Sequence, residues 1–232
     1  MSAGSLDGRV VAIPGAGGGL GPHVVRALAA AGAQVAATDV SEDRLTELDA
    51  ADKRSVDLLD AAATAAWAAE LEERFGRVDA VVHLVGGWRG GKPLQDAPLD
   101  DWEFLSNLLV RTVQHTSGAF YDALTRSGRG RFVIMSAKQA VMPTTDNAAY
   151  AAAKAAAEAW VYALAHGFAA DDSGATANVI AINALVTPEM RAAEPGRAFK
   201  TFTDAADIAE AIRFVLSDAG AKMNGQRIAL HG

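Results

Sequence analysis

Pro14-Gly15-Ala16-Gly17-Gly18-Gly19-Leu20-Gly21-Pro22 stands between a strand-like apolar run, Arg9–Ile13, and a helical pattern over Pro22–Ala31. Glycine adopts positive φ without steric cost and lets the backbone approach a ligand closely. Pro22 suits the first turn of the helix, where its missing N–H is no loss. A helix start adds partial positive charge and unpaired N–H groups, so a strand, a glycine turn and a helix in this order read as a phosphate-binding turn. The glycines at 15, 19 and 21 follow Gly-x3-Gly-x-Gly, a different spacing from the common Gly-x-Gly-x-x-Gly.

Outward from this turn, strand-length apolar runs alternate with amphipathic stretches. Arg9–Ile13, Gln34–Thr38, Ala80–Val85, Arg131–Met135, Ala177–Ile182 and Gln226–Leu230 read as strands. Pro22–Ala31, Ala61–Phe75, Asp101–Thr125, Tyr150–Ala170 and Asp204–Ser217 read as helices, with Asp204 placed to cap the last. The alternation predicts an α/β fold: a single Rossmann-type domain over 1–232, a doubly wound parallel sheet with helices on both faces. The alanine-rich stretches at 61–69 and 148–159 fit helices, since alanine is the best helix former. Thr187–Thr203 holds Pro188 and Pro195 with little periodicity, and is expected to be a mobile substrate loop.

Composition narrows the function classes. With 232 residues, 50% of them hydrophobic, the chain can bury a large core. A net charge of -7 opposes phosphate backbones and removes nucleic acid as a default partner. The absence of cysteine excludes disulfides, thiolate metal sites and a cysteine nucleophile. Met1 to Arg9 lacks a basic segment followed by an apolar stretch, and no uncharged apolar run approaches the roughly 18 residues of a membrane span. A cytoplasmic protein with no membrane partner is expected. The five histidines are widely spaced, none paired at helical distance, so no metal site is expected.

Three further features point to chemistry. Asp39 ends the second expected strand, where a carboxylate can accept from the ribose hydroxyls of an adenosine. The same charge repels a 2′-phosphate, so NAD(H) is preferred over NADP(H). Capping of the turn before Ser41 is the plainer role for this aspartate. Asp57-Leu58 falls where an adenine edge could be met, or forms an ordinary surface turn. Tyr150 and Lys154 are four apart and share a helical face. A hydride transfer needs a matching proton transfer, and an ammonium nearby favours the phenolate of a tyrosine whose free pKa is about 10.

With the glycine turn, the Tyr-x3-Lys pair and their separation taken together, the chain resembles the short-chain dehydrogenase/reductase family over essentially its whole length. Asn107 in Trp102-Glu103-Phe104-Leu105-Ser106-Asn107-Leu108 resembles the family's active-site asparagine. Asp207-Ile208-Ala209 and Asn224-Gly225-Gln226 resemble its last helix and strand. The resemblance implies Tyr150 as proton donor or acceptor, Lys154 as its electrostatic partner and Asn107 as holder of a proton-relay water. It also implies Gly15, Gly19, Leu20, Gly21, Val85, Gly86, Lys154 and Thr187 beside the cofactor. A homodimer or homotetramer, packed through the helix over 150–170 and the long helix before it, is implied in the same way.

Three positions depart from the family pattern. Pro14 replaces the usual threonine, His83-Leu84-Val85-Gly86 replaces Asn-Asn-Ala-Gly, and Ala137 occupies the place of the substrate-polarising serine. Ser136 is adjacent, but neighbouring strand residues point opposite ways. Locally the chain is similar to the quinonoid dihydropteridine reductases, a branch that works without that serine. Val85-Gly86-Gly87-Trp88-Arg89-Gly90-Gly91, Ser136-Ala137-Lys138-Gln139-Ala140 and Thr187-Pro188-Glu189-Met190-Arg191 carry the likeness. Trp88 offers a flat face for a planar heterocycle, and Lys138 is a candidate source of charge in place of the serine. The expectation is an NADH-using reductase of a small quinonoid, pterin-like or other planar conjugated substrate. A ketone/alcohol dehydrogenase using Ser136 is the alternative, and a non-catalytic dinucleotide sensor or scaffold is the alternative of another class.

Overall fold

The computed structural model describes residues 5–231; Met1–Gly4 and Gly232 lie outside them. The glycine turn joins β1 (Val10–Pro14) to α1 (Gly21–Ala30), followed by β2 (Gln34–Asp39), β3 (Asp52–Ser55), α2 (Ala61–Phe75) and β4 (Ala80–His83). Then come α3 (Asp100–Ser106), α4 (Thr112–Ser127), β5 (Arg131–Ala137), α5 (Ala148–Ala170) and β6 (Thr176–Ile182). The chain closes with β7 (Ala184–Val186), α6 (Pro188–Ala193), β8 (Phe202–Asp204), α7 (Ala205–Leu216) and β9 (Arg227–Ala229). Seven strands form one parallel sheet in the order β3-β2-β1-β4-β5-β6-β9. This is the expected doubly wound architecture, with the order reversing between β1 and β4.

Alternation along each strand divides the core between the two faces. Val10, Ala12, Val81, Phe132 and Ile134 pack with Trp67, Leu71, Phe120 and Phe168 from α2, α4 and α5. Val11, Ile13, Ala80, Val82 and Val133 pack with Val24 and Leu28 of α1 and Ile208 and Ile212 of α7. Both faces are covered, which is why the central strands read as continuous apolar runs. Trp67 meets Phe120 edge to face, with ring centroids 5.2 Å apart.

Three expectations need correction, and one strand had no counterpart among them. Asp52-Lys53-Arg54-Ser55 forms an edge strand on β2, hidden in the sequence because its side chains are polar. The single helix expected over Asp101–Thr125 carries a π-helical stretch, Asn107–Arg111, between α3 and α4, and such a bulge turns the residues around it relative to a regular helix. Asp204 precedes α7 in an extended conformation but makes no capping bond through its side chain; Arg191 engages its carboxylate at 3.1 and 3.0 Å. Thr187–Thr203, read as aperiodic, contains α6 and most of β8, and β8 pairs with β7 in a small parallel sheet. Among the described residues no helix is long and apolar enough to cross a membrane.

Candidate active site

A cleft of about 710 Å³ opens over the C-terminal ends of the strands, at the point where the strand order reverses. Gly15 closes one end of the glycine turn at φ +78°; a Cβ there would stand 2.6 Å from the Val85 nitrogen, so the turn lies directly against the segment after β4. Gly19 faces the other way. A Cβ on Gly19 would meet only Leu185 Cδ2, at 3.8 Å, and would fill space in the cleft wall. Among the described residues the Gly19 and Leu20 N–H groups have no protein acceptor, whereas those of Gly18 and Gly21 bond back to Gly15 and Gly18. An open cradle with free donors at the start of α1 fits the diphosphate of a dinucleotide.

Asp39 sits at the end of β2, 9% exposed, in the cleft wall. One carboxylate oxygen accepts the Ser41 N–H at 3.1 Å, so the turn-capping role is also present. Arg44 lines the same wall, its guanidinium 3.9 Å from that oxygen. Asp57, whose carboxylate accepts the Leu59 N–H at 2.9 Å, and the buried Leu58 border the same end, and Val85 and Gly86 border the middle.

Tyr150 and Lys154, one turn apart on α5, line the other end. Lys154 is buried and donates to the Met135 carbonyl at 2.9 Å. Burial brings its pKa down to about 8, against the opposing field of Glu158. Burial pushes Tyr150 up to about 12, so its hydroxyl stays protonated at neutral pH. Desolvation is the whole cause of that rise, with no lowering by the Lys154 ammonium beside it. His83, at the end of β4, is buried, and its Nε2 has no protein partner. Burial and the Lys154 charge lower its pKa to about 3, leaving it neutral.

At the end of β5, Ala137 borders the cleft and is 3% exposed. Ser136 contributes to the same wall, but its hydroxyl donates at 2.5 Å to the buried Glu158 of α5. Trp88 stands at the mouth, 60% exposed, its ring near Gly90 and Gly91. Three expected residues do not border the cleft. Asn107 begins the π-helical stretch, and Leu108 and Thr112 face the cleft instead. Lys138 lies in the single helical turn after β5, off the wall. Thr187 caps α6, its side chain accepting the Met190 N–H at 3.3 Å.

Over residues 15–232 the chain matches the family described as Enoyl-(Acyl carrier protein) reductase. It is 28% identical to dehydrogenase/reductase SDR family member 6 of Danio rerio, over 99% of this chain and 98% of that protein. The chain belongs to the short-chain dehydrogenase/reductase family. It is also 29% identical to the D-threitol dehydrogenase of Mycolicibacterium smegmatis, over 98% of this chain and 93% of that one. A solved short-chain fold of similar shape, a gluconate 5-dehydrogenase from Burkholderia cenocepacia in complex with NADP and tartrate, superposes with a TM-score of 0.84 at 25% identity. That alignment covers 98% of this chain and 95% of the other.

As a short-chain oxidoreductase, the chain has residues at its cleft that its sequence pattern does not reveal. Arg44 lies in a polar turn and Asn183 in a segment with no motif, while Gln139 belongs to the Ser136–Ala140 segment but is not singled out there. The Gln139 amide nitrogen lies 3.4 Å from Asn183 Oδ1, and Asn183 donates to the Thr201 carbonyl at 3.1 Å. Glu158 is four residues beyond Lys154, the one spacing signal that could have marked it.

Proposed function

We propose that this chain is an NADH-dependent reductase in which Tyr150 gives the proton, Lys154 holds positive charge beside it, and the substrate is a planar conjugated compound of quinonoid, pterin-like kind. The fate of Ser136 carries this reading: its hydroxyl is committed to Glu158, and Ala137 holds the neighbouring place in the wall. A ketone would lose one of the donors that steady its developing oxyanion, at a cost of about 2.7–4 kcal/mol. A quinonoid substrate tolerates that loss, because regained conjugation drives its reduction. Trp88 at the mouth offers a face for a flat ring. Tyr150, protonated far above neutral pH, suits the reducing direction.

A bound nicotinamide supplies the hydride. Gly15, Gly19, Leu20 and Gly21 would hold the diphosphate, Asp39 the adenosine ribose, Asp57 and Leu58 the adenine edge, Val85 and Gly86 the middle of the cofactor, and Lys154 the second ribose. Asp39 supports NADH over NADPH through repulsion of a 2′-phosphate. Arg44 in the same wall favours a second reading, NADPH use, in keeping with the NADP held by the gluconate 5-dehydrogenase. Ketone/alcohol chemistry, the reading suggested by the likeness to D-threitol dehydrogenase, requires Ser136 to leave Glu158. Substrate contacts from 187–203 and a homodimer or homotetramer built through α4 and α5 belong to the same proposal.

The test is Tyr150→Phe. Turnover of NADH with a quinonoid acceptor should fall by at least about a hundredfold while the NADH dissociation constant stays within about twofold. Full activity in this variant would sink the assignment. NADH-dependent turnover that disappears with the hydroxyl would dispose of a non-catalytic sensor or scaffold.

A further inference from the structure

Glu158 is a buried carboxylate that the proposed chemistry does not use, 4% exposed and at the centre of a polar cluster behind the cleft. It accepts from Ser136 Oγ at 2.5 Å, from Arg227 Nε at 3.2 and 3.0 Å, and from the Tyr162 hydroxyl at 3.3 Å. Arg227 reaches on to the Ala137 carbonyl at 2.9 Å. One carboxylate thus ties α5 to β5 and β9. Tyr150, Lys154 and Glu158 follow one another at four-residue steps, so they share one face of α5.

Successive turns of that face grip successive residues of β5. Lys154 bonds the Met135 carbonyl, and Glu158 bonds the Ser136 side chain. We propose that Glu158 is a positioning residue of the active site: it fixes the register of α5 on the end of β5 and supplies the negative charge that keeps Lys154 an ammonium. A buried ion pair is a poor investment for stability alone. Here the carboxylate also sits one turn from a lysine that burial drives toward neutrality. The charged or titratable groups around Lys154 are Tyr150 and Glu158 on α5, neutral His83 on β4, and Arg227 on β9, reached through Glu158. From β5 the Met135 carbonyl accepts from its ammonium.

The inference rests on Tyr150 and Lys154 being the working pair, and its test is readable without turnover. The midpoint of the Lys154 ammonium would be followed by NMR of lysine-labelled protein, with the signal assigned through Lys154→Met. In the parent protein the midpoint should lie near 8. Glu158→Gln should lower it by about one pH unit, an effect that loss of packing alone would not produce. The pH at which kcat/KM declines should move down with it, a roughly fivefold loss at pH 8. Glu158→Asp draws the charge back by one methylene and should move the midpoint less, in the same direction; it carries the test alone if Glu158→Gln does not fold. An unmoved midpoint in the folded variant overturns the proposal. A shifted midpoint beside a fully active Tyr150→Phe would leave the Glu158 role standing and remove the functional reading instead.

Discussion

Lys154 carries a charge that water hardly reaches, and its pKa of about 8 lies below the ordinary 10.5. A group whose folded value is depressed adds stability above its unfolded pKa and loses that contribution as pH falls through the folded one. Below about pH 8 the ammonium therefore sits in a site that costs the fold stability, in a window running from about 8 to 10.5. Lys154→Met should raise the unfolding free energy at pH 7 by on the order of 1–3 kcal/mol, with turnover lost. The gain should vanish by pH 11, when both states of the parent lysine are neutral. Thermal unfolding across pH checks this, and a variant less stable than the parent at pH 7 would show that the ammonium is held favourably.

Among the elements, the turn between β1 and α1 separates folding from binding within three residues. A Cβ on Gly21 would fall 1.9 Å from the Ala16 carbonyl oxygen, so the start of α1 packs where no side chain fits. A Cβ on Gly19 would meet ordinary contact at 3.8 Å and point into the cleft. Gly21→Ala should cost about 2–4 kcal/mol of stability through backbone displacement. Gly19→Ala should melt within about 2 °C of the parent and weaken NADH binding by at least about tenfold, since its methyl takes the diphosphate's space. Calorimetric unfolding and NADH titration separate the two. Equal loss of stability in both would mean that the cradle is structural only.

Much of this element scale was legible because apolar runs and helical periodicity follow directly from burial. β3 was not, since an edge strand of Asp52-Lys53-Arg54-Ser55 needs no apolar face. The π-helical stretch leaves no mark in periodicity, so the placing of Leu108 and Thr112 in the cleft wall could not be read from the sequence. The glycines, Asp39, Tyr150 and Lys154 were readable because each belongs to a short local pattern. The commitment of Ser136 to Glu158 was not, because it joins residues 22 apart, and Arg227 joins the cluster from 69 beyond Glu158.

For the whole molecule, α5 leaves Trp160 and Tyr162 at its surface, 41% and 36% exposed, with the Trp160 indole N–H donating to Ser117 of α4 at 2.9 Å. Large aromatics left at the surface of α5 suit a second copy of the chain. Sedimentation should return a dimer or tetramer, and Trp160→Glu should yield a smaller species; a monomeric parent would contradict this assembly. Whether a site without the customary hydroxyl prefers conjugated acceptors is read from NADH oxidation with quinonoid dihydropterin set against a simple ketone such as cyclohexanone. kcat/KM should be at least about a hundredfold higher for the quinonoid compound, the value of one missing donor. Efficient reduction of the ketone with no activity on the quinonoid acceptor would rule out a conjugated substrate.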